Sequence, residues 1–194
     1  MRVGVLALQG AFIEHQAILE GLGAQVTQVR LAAHLEGLQA LIIPGGESTT
    51  MGKLAAAFGL MEPLREFGRQ RAIWGTCAGA IFLARDAHRD QPLLELMDIT
   101  VQRNAFGRQV DSFEVDLDMP YLNVNGTSES PAPFHAVFIR APLIDSVYGQ
   151  ARVLTQLPNG TIVAAQQGRL LATSFHPELT ADSRFHRYFM ELAR

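Results

Sequence analysis

A single cysteine stands among 194 residues, so an internal disulfide is excluded. Charge of one sign is also missing. The formal net charge is −3 with 18% charged residues, and Lys and Arg are scattered rather than clustered, leaving no footprint for nucleic acid or an anionic membrane. No apolar run approaches the ~20 residues needed to span a bilayer. The N-terminus runs straight into a strand-like segment instead of the apolar region of a secretory signal. A cytoplasmic protein is expected. No repeat, heptad, low-complexity tract or linker divides the chain, and its length suits one well-packed domain over 1–194.

What is present is an alternation of strand-like and helix-like segments. Residues 2–8 form an almost continuous apolar run, as expected for a parallel strand covered on both faces. Residues 12–22 follow at helical spacing, with Ile18, Leu19 and Leu22 on one side and Gly21 and Gly23 as stop signals. Strands are expected at 26–31 and 41–43. The latter is cut off by Pro44-Gly45-Gly46 and followed by Glu47-Ser48-Thr49-Thr50, whose hydroxyls offer caps for the next helix. Pro63 suits the first turn of a further helix reaching Phe67. The second half carries strand-like segments at 99–101, 112–117, 136–139, 153–157, 162–166 and 170–175. They are separated by turns, with hairpin signals at Pro158-Asn159-Gly160 and Gln167-Gly168-Arg169. A final helix is expected over 183–192, and an exposed loop over 119–133. The pattern predicts an α/β fold: a three-layer, open, mostly parallel sheet with helices on both faces and antiparallel additions in its second half.

The cysteine lies where an apolar strand pattern changes to a helical one, in Gly75-Thr76-Cys77-Ala78-Gly79. Gly-x-Cys-x-Gly is the thiol form of a nucleophile elbow, in which small neighbours let the chain turn sharply and lift one side chain clear of the sheet. The following helix N-terminus favours thiolate over thiol. The pattern taken alone fits two readings, a nucleophile and a small buried apolar residue.

A cysteine nucleophile needs a base and a group to orient that base. Ser174-Phe175-His176-Pro177-Glu178 supplies both, because residues two apart in extended chain point the same way. The Glu178 carboxylate can then hold the His176 tautomer and support its positive form. Taken singly, His-Pro-Glu also fits a turn with surface side chains; together with the elbow it makes a Cys77-His176-Glu178 triad. His15, His34, His88, His135 and His186 suit surface or structural roles, with no orienting acid beside His135 or His186 in the sequence. Cys77 and the scattered histidines lack metal-ligand spacing, so no metal is expected. For the oxyanion that acyl transfer creates, the Ala78 N–H is one donor and Gly46, in a side-chain-free bend, a candidate for the second. The Gly45-Gly46 segment equally suits an ordinary turn and cap, and it lacks the spacing of a phosphate loop.

These residues together resemble the class I, triad-type glutamine amidotransferases, and within them the branch of glutaminase subunits that serve pyridoxal 5'-phosphate synthase. The resemblance runs through Leu8-Gln9-Gly10-Ala11, Pro44-Gly45-Gly46-Glu47-Ser48-Thr49-Thr50, Met61-Glu62-Pro63-Leu64, the elbow, Arg103-Asn104-Ala105-Phe106-Gly107-Arg108-Gln109, Phe138-Ile139-Arg140-Ala141-Pro142 and Ser174-Phe175-His176-Pro177-Glu178-Leu179. It implies that Cys77 attacks the side-chain amide of L-glutamine, giving a glutamyl thioester and ammonia, with His176 as acid and base and Glu178 as orienter. It also implies that Gly46, Glu47, Ser48, Arg103, Ile139 and Arg140 contact the substrate, which suits chemistry in which an Arg fork meets an α-carboxylate. No cofactor is implied. The partner implied is the synthase subunit, which condenses ammonia with a pentose phosphate and a triose phosphate, docks near 8–11 and Gly45-Gly46, and raises a low glutaminase activity. Two departures stand out: Arg71-Ala72-Ile73 precedes the elbow where a lysine or glycine and then a proline is usual, and the 119–133 loop has its own character. Rival readings are a glutaminase for another synthase, such as the imidazole glycerol phosphate system, a cysteine peptidase or esterase, and a non-catalytic scaffold subunit.

Overall fold

The computed structural model describes residues 1–103, 112–122 and 132–194. In chain order the elements are β1 (Arg2–Leu6), α1 (Phe12–Gly21), β2 (Gln25–Val29), β3 (Ala40–Ile43), α2 (Ser48–Ala57), α3 (Met61–Gln70), β4 (Ala72–Thr76) and α4 (Ala78–Leu83). They continue with β5 (Ala84–Asp86), β6 (Met97–Gln102), β7 (Ser112–Leu117), β8 (Phe134–Ile139), β9 (Leu143–Val147), β10 (Arg152–Gln156), β11 (Ile162–Gln167), β12 (Leu170–Thr173) and α5 (Arg184–Leu192).

The main sheet runs β2-β1-β3-β4-β12-β11-β9-β6-β5, with β10 paired to β11; β7 and β8 form a separate antiparallel hairpin. From β2 to β12 every pairing is parallel, and β11 and β12 form the antiparallel hairpin expected at Gln167-Gly168-Arg169. The decisive pairing is β12 beside β4, with Thr173 opposite Thr76. It sets the end of the last strand against the elbow, although the two are nearly a hundred residues apart in the chain.

Both faces of the sheet are covered, as alternation along a strand requires. Leu41, Ile43 and Ile73 pack in one layer with Met51 and Ala55 of α2, Leu64 of α3 and Ile81 to Leu83 of α4. Ala40, Ile42 and Trp74 pack in the other with Leu19 of α1, Phe185 and Phe189 of α5, and Phe134 and Phe138 of the hairpin. Trp74 anchors that layer: its ring stacks on Phe185, and its Nε1–H donates to Thr173 Oγ1 at 3.1 Å, tying β4 to β12.

Several sequence expectations shift. On α1 the buried residues are His15 and Leu19, one turn apart, while Ile18 and Leu22 are half-buried. Helix α2 is capped by the Glu47 carboxylate, which accepts from Thr49 N–H and Thr50 N–H at 3.3 and 2.7 Å, not by a hydroxyl. Strands β5 and β9 were not foreseen. β5 is only three residues, and β9 follows Pro142 with a mixed burial pattern whose sheet position depends on distant partners. Positions 104–109 of the Arg103 motif and most of the 119–133 loop lie outside the described residues.

Candidate active site

At the end of β4 the backbone of Cys77 takes φ 49° and ψ −106°, a conformation that L-residues rarely adopt and that persists only where the surroundings enforce it. Here they do. The Cys77 N–H donates to the Thr173 carbonyl at 2.8 Å, and helix α4 begins at the next residue. A Cβ on Gly75 would overlap the Gly79 backbone, and one on Gly79 would overlap the Ile43 carbonyl. Both flanking glycines are therefore needed for close packing, one within the turn and one against β3.

His176 follows β12, its N–H donating to the Val137 carbonyl of the hairpin at 2.8 Å. Its Nδ1–H donates to Glu178 Oε1 at 2.7 Å, and Glu178 is buried behind it. Nε2 of His176 is buried without a hydrogen-bond partner. Burial alone would lower the pKa of this imidazole, but the facing Cys77 sulfur and the Glu178 carboxylate outweigh it and raise the value to about 10. The imidazolium form is thus favoured where a thiolate can face it.

Gly45 closes the site from the β3 side. A Cβ there would lie 2.5 Å from His176 Cε1 and 3.4 Å from Cys77 Cβ, so the backbone of residue 45 abuts both side chains. Gly46 meets the Gln9 carboxamide in the same way, and Gln9 Oε1 accepts the Glu47 N–H at 2.7 Å. Glu47 also pairs with Arg103 Nη1 at 2.6 Å. Burial tends to raise the Glu47 carboxyl, but hydrogen bonds from Thr50 and Thr49 and the charge of Arg103 bring its pKa down to about 2.

These groups line a cavity of about 290 Å³. Gly46, Glu47, Ser48, Cys77, Ala78, Arg103, Ile139, Arg140 and His176 all contribute to its wall, with Glu178 holding His176 from behind. Every site residue named from the sequence is therefore gathered in or directly behind one cavity. It opens at the C-terminal ends of the parallel strands β1, β3, β4 and β12, where ligands bind in open α/β sheets. Arg140 sits there with φ 44°, a second strained residue on the wall.

Over residues 5–194 the chain matches the SNO glutamine amidotransferase family. The chain belongs to that family. Proteins named pyridoxal 5'-phosphate synthase subunit PdxT are similar throughout: that of Herpetosiphon aurantiacus is 57% identical, aligned over 99% of this chain and 100% of its own length. That of Deinococcus radiodurans is also 57% identical, over 100% and 97%. A crystal structure titled glutamine amidotransferase superposes with a TM-score of 0.90 at 50% identity, covering 98% of each chain. A structure of PurLQS from Thermotoga maritima, at 14% identity and a TM-score of 0.68, shares the fold.

Within this glutamine amidotransferase, three wall residues had no site role in the sequence reading: Gln9, Ile81 and Pro142. Gln9 had a findable signal, since it follows the first parallel strand at the edge where the other site loops emerge. Two histidines take the structural of the two roles expected for them. His15 and His186 are fully buried, and His15 Nε2 lies 3.4 Å from Glu178 Oε2. His135 does have orienting acids, Asp116 at 2.7 Å and Glu114 at 3.0 Å across the hairpin, but it is exposed and does not line the cavity. No helix among the described residues is long and apolar enough to cross a membrane.

Proposed function

We propose that the whole chain is one glutaminase domain, the glutaminase subunit of a pyridoxal 5'-phosphate synthase, working through Cys77, His176 and Glu178. The observation that carries the reading is Cys77 at a strained elbow, facing an imidazole whose far nitrogen is held by a buried carboxylate.

The Cys77 thiolate adds to the side-chain carbonyl carbon of glutamine, and the carbonyl oxygen becomes an oxyanion. Ala78 N–H, first in helix α4 and without a partner inside the helix, and the Gly46 N–H are the donors assigned to it. His176 passes its Nε2 proton to the departing nitrogen, the carbon–nitrogen bond breaks, and ammonia and a glutamyl thioester result. His176 then takes a proton from water, which attacks the thioester; glutamate leaves and the thiolate and imidazolium return. Glu178 holds the ring by accepting the Nδ1–H throughout. Arg103 and Arg140 offer guanidinium forks for the α-carboxylate, and Glu47, paired to Arg103, an acid for the α-amine. Gly46, Ser48 and Ile139 complete the substrate wall.

Free ammonia in water at neutral pH becomes mostly ammonium, which is not nucleophilic. Direct delivery to a synthase subunit therefore fits the chemistry, and the full-length likeness to proteins carrying that subunit name supports it. A lone cysteine that must remain a thiol also suits the reducing cytoplasm.

The test is Cys77→Ala assayed with the synthase subunit. Pyridoxal phosphate formation should vanish with glutamine and persist with ammonium salts; unchanged formation with glutamine would sink the triad. Stimulation of glutamate release by an imidazole glycerol phosphate partner, and by no pyridoxal phosphate partner, would reassign the physiological role.

A further inference from the structure

Behind the triad lies a second cluster of buried polar groups that the proposed mechanism leaves idle. Glu178 Oε1 receives His176, but Oε2 is buried with no closed hydrogen bond. A buried carboxylate oxygen left in this way is costly. The polar nitrogen facing it is His15 Nε2 at 3.4 Å, which also lies 3.2 Å from Thr76 Oγ1. His15 Nδ1 in turn meets His186 Nε2 at 2.9 Å, and His186 Nδ1 has no partner. Trp74 packs edge-on against both imidazoles, fixing their planes.

Two arguments bear on where the protons sit. Burial first, then the charges of His186 and His176, keep His15 neutral, and burial pushes His186 down to about 3, so each ring carries one N–H. If His15 carried it on Nδ1, its bare Nε2 could accept from the Thr76 hydroxyl but would give the carboxylate no donor, and His186 would be left with a buried Nδ1–H that donates to nothing. If His15 carries it on Nε2, that N–H lies 3.2 Å from Thr76 Oγ1 and 3.4 Å from Glu178 Oε2, and His186 Nε2–H donates to His15 Nδ1. The unpartnered His186 Nδ1 is then a bare acceptor, the less costly orphan.

We infer that His15 is a positioning residue for the glutaminase reaction: its Nε2–H serves the free oxygen of Glu178, extending the chain Cys77-His176-Glu178 through His15 to His186. The inference rests on the triad proposed above. At 3.4 Å the contact is not closed as a hydrogen bond, and contacts in an active site often tighten only once substrate binds. Without the His15 donor the carboxylate is held at one oxygen only and supports the imidazolium less. The thiolate facing that imidazolium is destabilised in step.

The test combines a measurement on the unaltered protein with a pair of variants. Nitrogen NMR of the wild type should find His15 protonated at Nε2 and bare at Nδ1; the opposite tautomer overturns the inference without touching the triad. In the complex with the synthase subunit, His15→Leu should lower kcat for glutamine about 10- to 100-fold with KM nearly unchanged, in the range typical of lost outer hydrogen-bond partners. His15→Gln, whose Nε2–H can occupy the same place, should recover much of that loss. Alkylation of the sole cysteine with iodoacetamide across pH should show the Cys77 thiolate appearing at higher pH in His15→Leu than in His15→Gln. Folded variants that are equally impaired, or a Cys77 titration the same in both, would count against the inference. Failure of the Cys77→Ala assay would remove the triad itself, a separate outcome.

Discussion

Gly45 and His176 meet as backbone against ring: a Cβ at residue 45 would lie 2.5 Å from His176 Cε1 and 3.0 Å from its Nδ1. The nitrogen so crowded is the one that donates to Glu178. The absence of a side chain at position 45 is thus a condition for the imidazole to reach its carboxylate.

Gly45→Ala should therefore push the ring off Glu178. Overpacking of this kind costs about 1–3 kcal/mol, so a moderately lowered melting temperature is expected. Glutamine-dependent turnover should fall far more than stability does, while ammonium-dependent synthesis in the complex is retained. Equal turnover from glutamine in Gly45→Ala and wild type would show that the ring has room to spare.

The imidazolium of His176 should persist well above the ordinary histidine range. Its folded pKa is about 10 against an unfolded value of 6.5, so its contribution to stability is complete below about pH 6.5 and is lost as pH rises through about 10. Cys77 is one source of the increase, so Cys77→Ala should bring the His176 titration midpoint down. Histidine NMR of the two proteins checks this, and an unmoved midpoint would assign the increase elsewhere.

Glu47 links a helix cap to the cavity wall. Its folded pKa near 2 lies below the unfolded 4.5, so its contribution is present above pH 4.5 and is lost as pH falls toward 2. Glu47→Ala removes the cap of α2 and should cost about 1 kcal/mol at pH 7, a difference that shrinks as the wild type is acidified. It also frees Arg103, so a change in KM for glutamine is expected beside the thermal shift. Denaturation curves at pH 7 and pH 3 measure the first effect, and steady-state kinetics in the complex the second.

Local patterns carried much of this protein. The elbow was legible because Gly75, Cys77 and Gly79 lie within five residues and a sharp turn has few sequence solutions. His176 and Glu178 were legible because they stand two apart just after the last strand, although the segment that joins them is a 3-10 turn over Pro177–Leu179 and not the extended chain expected. The parallel half of the sheet was legible from apolar runs such as Leu41-Ile42-Ile43, buried on both faces. The weakly patterned strand β9, by contrast, takes its place from β6 and β11, which pair with it from elsewhere in the chain.

From the order of residues alone came the alternating strands and helices, the nucleophile candidate, and the base with its orienter. The fold contributed adjacency. Pairing of β12 with β4 turned two distant motifs into one site, and packing of α1 and α5 over Trp74 brought His15 to His186, 171 residues away, and to the free oxygen of Glu178. Periodicity reports only which face of an element a residue occupies. Which residue it meets there depends on how the layers close, because a buried polar group takes its partner from whatever the packing sets beside it.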